Sequence, residues 1–294
     1  MNRLLFLLIV FCFPAIAFSQ FNFRMGGPQA PVKYESLDNG VLRIFYQTKF
    51  VRDMSNPERT FEDYMVLDIG EKGISRYYSD FRRRTDSIMN EVMKGAVNGG
   101  QVRFDANTLG NSGISSPGDS KEIYKNHPSG KISITDIIAN SDYIYEEDKN
   151  LFQWQIESDT REILSYTCQK AVTNFRGRRY EVWFAPELPL NDGPWKFSGL
   201  PGLILAAEDS DKNFVFQAVG IENYSLPVKY PQKDYLKISR SELEKIQKRF
   251  NEDPTGFLTN SLPGAKISIK TIDDRGVEKT GSEVKFPYNP MELE

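Results

Sequence analysis

Short segments that alternate apolar and polar residues follow one another along most of the chain. The segment from Arg178 to Ala185 places Tyr180, Val182 and Phe184 on one side and mostly polar residues on the other. An alternation of period two predicts a strand with one buried face. Because short links join these segments, we expect an antiparallel sheet and not parallel strand–helix–strand units.

The same pattern predicts the remaining strands. They are predicted at residues 41–51, 63–69, 74–78, 122–124, 131–135, 143–145, 151–156, 163–175, 203–207, 213–220 and 265–272. One helix is predicted to begin near Asp80 after the capping residue Ser79, and a second to open with a capping box at Ser241–Glu244 and run to Phe250. The predicted fold class is therefore mainly β: a single curved antiparallel sheet or half-barrel with two packed helices.

The beginning of the chain has the features of a secretory signal peptide. Arg3 precedes an apolar run from Leu4 to Ala17, and small residues stand before Gln20. This pattern predicts cleavage after Ser19 and an exported chain, periplasmic or extracellular. No later apolar run reaches the roughly 20 residues of a membrane helix, so no transmembrane segment is predicted in the mature chain.

The rest of the chain is predicted to form one domain. Residues 20–32 are a flexible leader, and residues 33–294 are a single β-rich domain with a mobile loop at 98–120 and an extended tail after residue 252. The formal net charge is −3. Because no basic excess is available to neutralise phosphates, nucleic-acid binding is excluded.

Residues 193–205 combine turn-forming and apolar residues in an unusual way. Three glycines and two prolines stand among Trp195, Phe197 and several aliphatic residues. Leu200–Leu203 predicts a type II turn with Gly202 at the position of positive φ, leading directly into a strand. Such a loop can cap a ligand cavity, insert into a partner, or plug one end of its own sheet.

A basic turn precedes this stretch. Guanidinium groups at Arg176 and Arg178 fit carboxylate or phosphate ligands, and they also fit pairing with Glu157, Asp159 or Glu181. The hypothesis for a ligand or partner surface takes the arginines, tryptophans and apolar loop residues of this region together. They are Trp183, Trp195, Phe197, Leu200, Arg176 and Arg178.

Signals for catalysis are weak. His127 is the only histidine, which excludes zinc sites built from several histidines. It is either the base for a Ser or Cys nucleophile or a residue of an exposed turn. Cys168 is the only cysteine left after the signal peptide, so no internal disulfide is possible. It is either a nucleophile, a redox sensor or a soft metal ligand, or a small buried residue. The acidic runs Glu146–Asp148 and Glu208–Asp211 are either catalytic carboxylates or solvated turns. No catalytic residue is assigned, and no metal or cofactor is predicted.

The most specific strings of the chain resemble a known family. Ile163–Ala171, Phe175–Arg178, Glu181–Pro189 and the string Gly199–Ile204 resemble the GLPGLI family, specifically over residues 145–209 and more loosely over 34–78. At residue 165 this chain has a serine where the family usually has glycine. The resemblance implies an exported, β-rich protein of a Gram-negative bacterium without an assigned activity, and it brings no catalytic residues.

Three functional hypotheses remain open. The leading one is a non-enzymatic exported binding or accessory protein, in which loop 193–205 closes or shapes the sheet and the partner is an apolar small molecule or an outer-membrane protein. The alternative is a secreted or periplasmic hydrolase that uses carboxylates or Cys168. The third is a soluble partner of an outer-membrane protein.

Overall fold

The computed structural model describes residues 32–87, 118–139, 141–261, 269–272 and 277–294. The predicted signal peptide at residues 1–19 lies outside these ranges. So do most of the predicted leader and most of the predicted loop at 98–120. Within the described residues, no helix combines the length and the apolar character that crossing a membrane would require.

The described residues form fifteen strands. In chain order they are β1 (Lys33–Val51), β2 (Thr60–Gly70), β3 (Ser75–Ser79), β4 (Glu122–Lys125), β5 (Lys131–Ile138), β6 (Ser141–Asp148), β7 (Gln155–Ile163), β8 (Tyr166–Phe175), β9 (Arg178–Ala185), β10 (Leu203–Asp209), β11 (Phe214–Asn223), β12 (Pro227–Gln232), β13 (Leu236–Lys237), β14 (Lys270–Ile272) and β15 (Glu278–Thr280).

Thirteen of these strands form one curved, unclosed sheet, so the predicted fold class is confirmed. The order across the sheet is β13-β6-β5-β4-β3-β2-β1-β11-β10-β9-β8-β7, and β12 pairs with β1 beside this path. Only β13 and β6 pair in parallel among these strands. β14 and β15 form a separate two-stranded sheet.

The burial of the side chains along β9 follows the alternation that predicted this strand. The side chains of Tyr180, Val182 and Phe184 are at most 1% exposed, whereas Arg179 is exposed and Glu181 and Trp183 are half-buried. Tyr46 on β1 and Leu67 on β2 are buried on the same side of the sheet, within one apolar core. We call this side the inner face.

Two strand predictions were wrong. The segment predicted as one strand at 163–175 contains a tight turn, because Leu164 and Ser165 have φ angles of 51° and 66°. Residues 151–154, predicted as part of a strand, precede β7 as irregular chain. There Trp154 donates a hydrogen bond from Nε1 to the Ser198 oxygen at 2.8 Å.

The structure describes three α-helices: α1 over residues 80–87, α2 (Arg240–Glu252) and α3 (Pro254–Ser261). As predicted, the Ser79 hydroxyl caps α1, accepting a hydrogen bond from the Arg82 amide at 2.9 Å. The capping box of α2 was misplaced by two residues, since Ser239 and Glu242 form it. The predicted extended tail is wrong at α3, where Pro254 occupies the first helical position that proline favours.

The link between β9 and β10 crosses the inner face, but without the predicted type II turn. Gly199 has a positive φ of 99°, whereas Gly202 is not among the residues with positive φ. Gly202 is required for a different reason: a Cβ atom there would lie 2.3 Å from the Ala185 carbonyl oxygen. The chain therefore needs glycine at 202 for close backbone packing.

This close approach predicts the cost of a methyl group at residue 202. Gly202→Ala should lower the free energy of unfolding by about 1–3 kcal/mol, because the group it meets is backbone. Urea unfolding followed by circular dichroism measures the change. Gly220→Ala is the matched control, since its Cβ would lie 3.4 Å from the Phe45 ring, an ordinary contact distance. Equal losses for the two variants would contradict the steric argument.

Candidate functional site

A cavity of about 170 Å³ lies against the inner face of the sheet. The strands supply an apolar and aromatic floor, and α2 and the C-terminal segment 287–292 supply the opposite wall. The floor consists of Phe50, Met65, Ile123, Ile134, Phe214 and Phe216. A concave, mostly apolar cavity with a few polar groups is the usual form of a ligand site.

Hydrogen bonds from the sheet hold the C-terminal wall in place. The Tyr180 hydroxyl donates to the Met291 carbonyl at 2.5 Å, and the Arg178 guanidinium donates to the Pro290 carbonyl at 2.8 Å. Asn289 donates from its side chain to the Val51 carbonyl at 2.8 Å. The last residues of the chain are therefore part of the cavity and not a free tail.

Tyr77 on β3 places in the cavity wall a hydroxyl group that can still form hydrogen bonds. Its side chain is 3% exposed, and its hydroxyl has no hydrogen-bond partner within the described residues. Burial raises the pKa of Tyr77 well above its ordinary value, and the nearby Trp195 backbone acts in the opposite direction. A buried hydroxyl without a partner costs free energy, which binding of a polar ligand would recover.

Asp63 on β2 is a fully buried carboxyl group at the same cavity. It accepts hydrogen bonds from the Ser79 hydroxyl and the Asp119 amide, both at 2.8 Å. Burial raises the pKa of Asp63 to about 7, although these hydrogen bonds act in the opposite direction. The group can therefore gain or lose a proton near neutral pH.

Two further carboxylates share one ammonium group beside Asp63. The Lys121 nitrogen lies 3.2 Å from Asp136 Oδ2 and 3.8 Å from Asp119 Oδ1. The Ser120 hydroxyl donates to Asp136 Oδ1 at 2.6 Å. Oδ2 of Asp136 is buried, and its polar neighbour is the Lys121 ammonium of this ion pair. Asp136 therefore combines an ion pair with an oxygen that can still accept.

The loop at residues 193–205, rich in glycine and proline, forms another wall of the cavity and is fixed by two buried lysines. From the sheet, the Lys125 ammonium contacts Asp192 and lies 2.5 Å from the Gly193 carbonyl oxygen. From the loop, the Lys196 ammonium lies 2.6 Å from Glu147 and also contacts Glu292. Both lysine side chains are at most 1% exposed.

The apolar loop residues of the predicted ligand surface lie inside the protein. Trp195, Phe197 and Leu200 are 7%, 0% and 2% exposed. The Trp195 and Phe197 rings pack at a centroid distance of 5.0 Å, and Phe197 contacts Tyr180 at 5.1 Å. Of the predicted surface residues, Trp195 lines the cavity. This placement makes the loop a cover for its own sheet.

The remaining predicted surface residues lie apart from the cavity floor. Trp183 is half-buried, and the Arg161 guanidinium lies over its ring at 4.5 Å from the ring centroid. Arg176 contacts Glu147 and Glu292, and Arg178 lies 3.0 Å from Asp209. The arginines therefore pair with carboxylates other than Glu157, Asp159 and Glu181.

The sequence-predicted catalytic candidates also lie elsewhere. Cys168 is fully buried, and burial raises the pKa of its thiol to about 11, so it stays protonated at neutral pH. The His127 ring packs against Tyr230 at 5.0 Å. No group of three or more possible metal ligands occurs within the described ranges. Sequence reasoning missed Asp63, Tyr77 and Asp136, although each is a polar residue at a core-facing position of its strand.

A family model and two solved structures are similar to this chain. The model described as N-glycanase peptide, N-terminal domain, matches residues 97–248, more than half of the 294 residues. Structures of PNGF-II in space groups P21 and C2 match with TM-scores of 0.48 and 0.47, at 13% and 14% identity, over 80% of this chain. The chain spans 35% of the length of either PNGF-II chain. No curated protein matches it.

The resemblance to the GLPGLI family was therefore wrong. The matching family model covers the strings that suggested it, including residues 145–209, and it describes a different family. Those strings encode strands β8 and β9 and the loop that covers the inner face, and short strings of that kind do not identify a family by themselves.

The raised pKa of Asp63 predicts an unusual pH dependence of stability. Because its folded-state pKa of about 7 lies above the ordinary value of 3.8, the folded chain keeps a proton that the unfolded chain releases. The contribution of Asp63 to stability is therefore present at low pH and lost as the pH rises, by about 2–3 kcal/mol between pH 5 and 8.

Urea unfolding of the native chain and of Asp63→Asn across this range measures the effect. The variant should gain stability relative to the native chain as the pH rises. A difference that does not change with pH would show that the Asp63 carboxyl is ionised throughout.

Proposed function

Because the chain belongs to the family of N-glycanase N-terminal domains, we propose that it takes part in the hydrolysis of N-linked glycans outside the cytoplasm. The name N-glycanase denotes an enzyme that acts on N-linked glycans. The hydrolase alternative drawn from the sequence thus has better support than a binding protein without an assigned ligand. Export rests on the signal peptide predicted at residues 1–19.

The observation that carries the proposal is the set of carboxyl groups with different environments at one cavity. Hydrolysis needs one group that takes a proton from water and one that gives a proton to the leaving group. Such pairs arise where the environment makes one carboxyl easier to protonate than its neighbour. Asp63, with a pKa of about 7, and Asp136, beside the Lys121 ammonium, are such a pair.

We assign the two roles from the contacts of each group. Asp136 is the base, because its Oδ2 lies at the cavity beside the Lys121 ammonium at 3.2 Å and can accept a further hydrogen bond, such as one from water. Asp63 is the proton donor, because burial keeps a fraction of it protonated near neutral pH. Neither role is played by Cys168, whose thiol lies in the core away from this cavity.

A second candidate function is glycan binding without hydrolysis by this chain. Both oxygens of Asp63 already accept hydrogen bonds from Ser79 and Asp119, an arrangement that also serves to hold α1 and residue 119 together. The matched family model describes an N-terminal domain. In this case the cavity would hold part of a glycan while a site on another domain or protein cleaves it.

Glycan release from a denatured N-glycosylated protein separates the two candidates. The purified chain should release free glycans, detected by mass spectrometry, and Asp136→Asn should slow release by about 100-fold or more. Asp148→Asn is the control, because this carboxylate is 79% exposed, pairs with Lys131 and does not line the cavity. Glycan binding with no release by the native chain would favour the second candidate and contradict the first.

A further inference from the structure

Resting on the proposed function, we infer that the cavity binds a single neutral pyranose ring. The hydroxyl groups of the sugar form hydrogen bonds with Tyr77 and Asp136, and its apolar face packs against Trp195. The cavity volume of about 170 Å³ is similar to that of an engineered cavity of roughly 150 Å³ that holds one benzene molecule. That is space for a single six-membered ring. The inferred ligand is therefore one residue of the glycan.

The polar groups of the cavity match the hydroxyl groups of a sugar. Tyr77 supplies a hydroxyl that can donate or accept and has no partner within the described residues. Asp136 Oδ2 supplies a carboxylate acceptor whose polar neighbour is the Lys121 ammonium at 3.2 Å. A pyranose carries several neighbouring hydroxyl groups, each of which can donate to a carboxylate and accept from a phenol. The Tyr77 hydroxyl would gain a partner, and Asp136 Oδ2 would gain a second one.

The charges of the cavity favour a neutral ligand. Each cationic side chain in its wall has a carboxylate neighbour, so an anionic sugar would compete with an ion pair already formed. The pairs are Lys49 with Glu62 at 3.0 Å, Lys121 with Asp136 at 3.2 Å, Lys196 with Glu147 at 2.6 Å and Arg240 with Glu292 at 3.4 Å. Arg52 interacts with Asp119 and Asp63.

The apolar lining suits the faces of the ring. Trp195 and Phe216 line the cavity together with Met65 from the floor. The C–H face of a pyranose is apolar and packs against aromatic rings, while its edge carries the hydroxyl groups. Because Trp195 is held by the loop and Tyr77 by the sheet, the site is formed before the ligand binds.

Tyr77→Phe is the direct test, because it removes the hydroxyl and keeps the ring. N-acetylglucosamine and mannose are titrated into the purified full chain by calorimetry. At least one sugar should bind, and Tyr77→Phe should weaken it by about fivefold. The melting temperature of the variant should be unchanged or higher, because the lost hydroxyl had no partner.

Tyr46→Phe is the matched control. The Tyr46 hydroxyl donates to the Ile204 carbonyl at 2.8 Å, and its ring packs edge-on to Tyr77 at 6.2 Å. This variant should melt about 2–4 °C lower and bind the sugar as the native chain does. The two phenylalanine variants thus separate loss of a ligand contact from loss of stability.

The remaining results separate the inference from the proposed function. Failure of both sugars to bind, or equal binding by the native chain and Tyr77→Phe, would overturn it. Glycan release without binding of either sugar would leave the proposed hydrolysis in place and reject this site for a single ring. Sugar binding that depends on Tyr77 without glycan release would keep the inference and reject hydrolysis by this chain.

Discussion

The buried ammonium group of Lys196 connects three parts of the chain that are far apart in sequence. It lies 2.6 Å from Glu147 at the end of β6 and contacts Glu292 in the C-terminal segment, and Arg176 contacts the same two carboxylates. Taking such charges out of water is costly, and they are tolerated only when every partner is present. Removal of one partner from a buried pair typically costs about 3–5 kcal/mol, because the other charge stays buried. The network therefore fixes the loop, the sheet and the last residues as one unit.

This unit gives the cavity its shape. Lys125 holds the loop from the opposite side, so Trp195 cannot leave the inner face without breaking contacts made by two buried lysines. The C-terminal segment closes the other wall through Tyr180 and Arg178. An open curved sheet would expose its apolar inner face to water, and the loop and the C-terminal segment cover it except at the cavity. The proposed function depends on this cavity, a preformed, mostly apolar space with a few polar groups between the covering segments and the sheet.

The sequence predicted the sheet better than it predicted the site. Strand β9 was predicted at its observed bounds, because its alternation of period two is strict and both neighbours are strands. β12 was missed because Pro227 and Pro231 argue against a strand, yet it pairs only with β1, where proline is tolerated. The site residues come from different strands, and only the fold brings them together. A signal did exist for Asp63, which replaces an apolar residue in a series with Met65 and Leu67 on the inner face. Short strings of residues suggested the wrong family, whereas the match of a family model over residues 97–248 identifies the family.

The inner-face cavity is the proposed binding site for a sugar on this protein. A crystal structure of the chain soaked with the N-acetylglucosamine disaccharide, the neutral sugar pair at the base of N-linked glycans, tests this directly. We expect density for one ring in the inner-face cavity, with hydroxyl groups within hydrogen-bond distance of Tyr77 and Asp136 and a ring face against Trp195. Sugar density on any other surface, with the cavity holding only water, would contradict the assignment of this cavity as the glycan site.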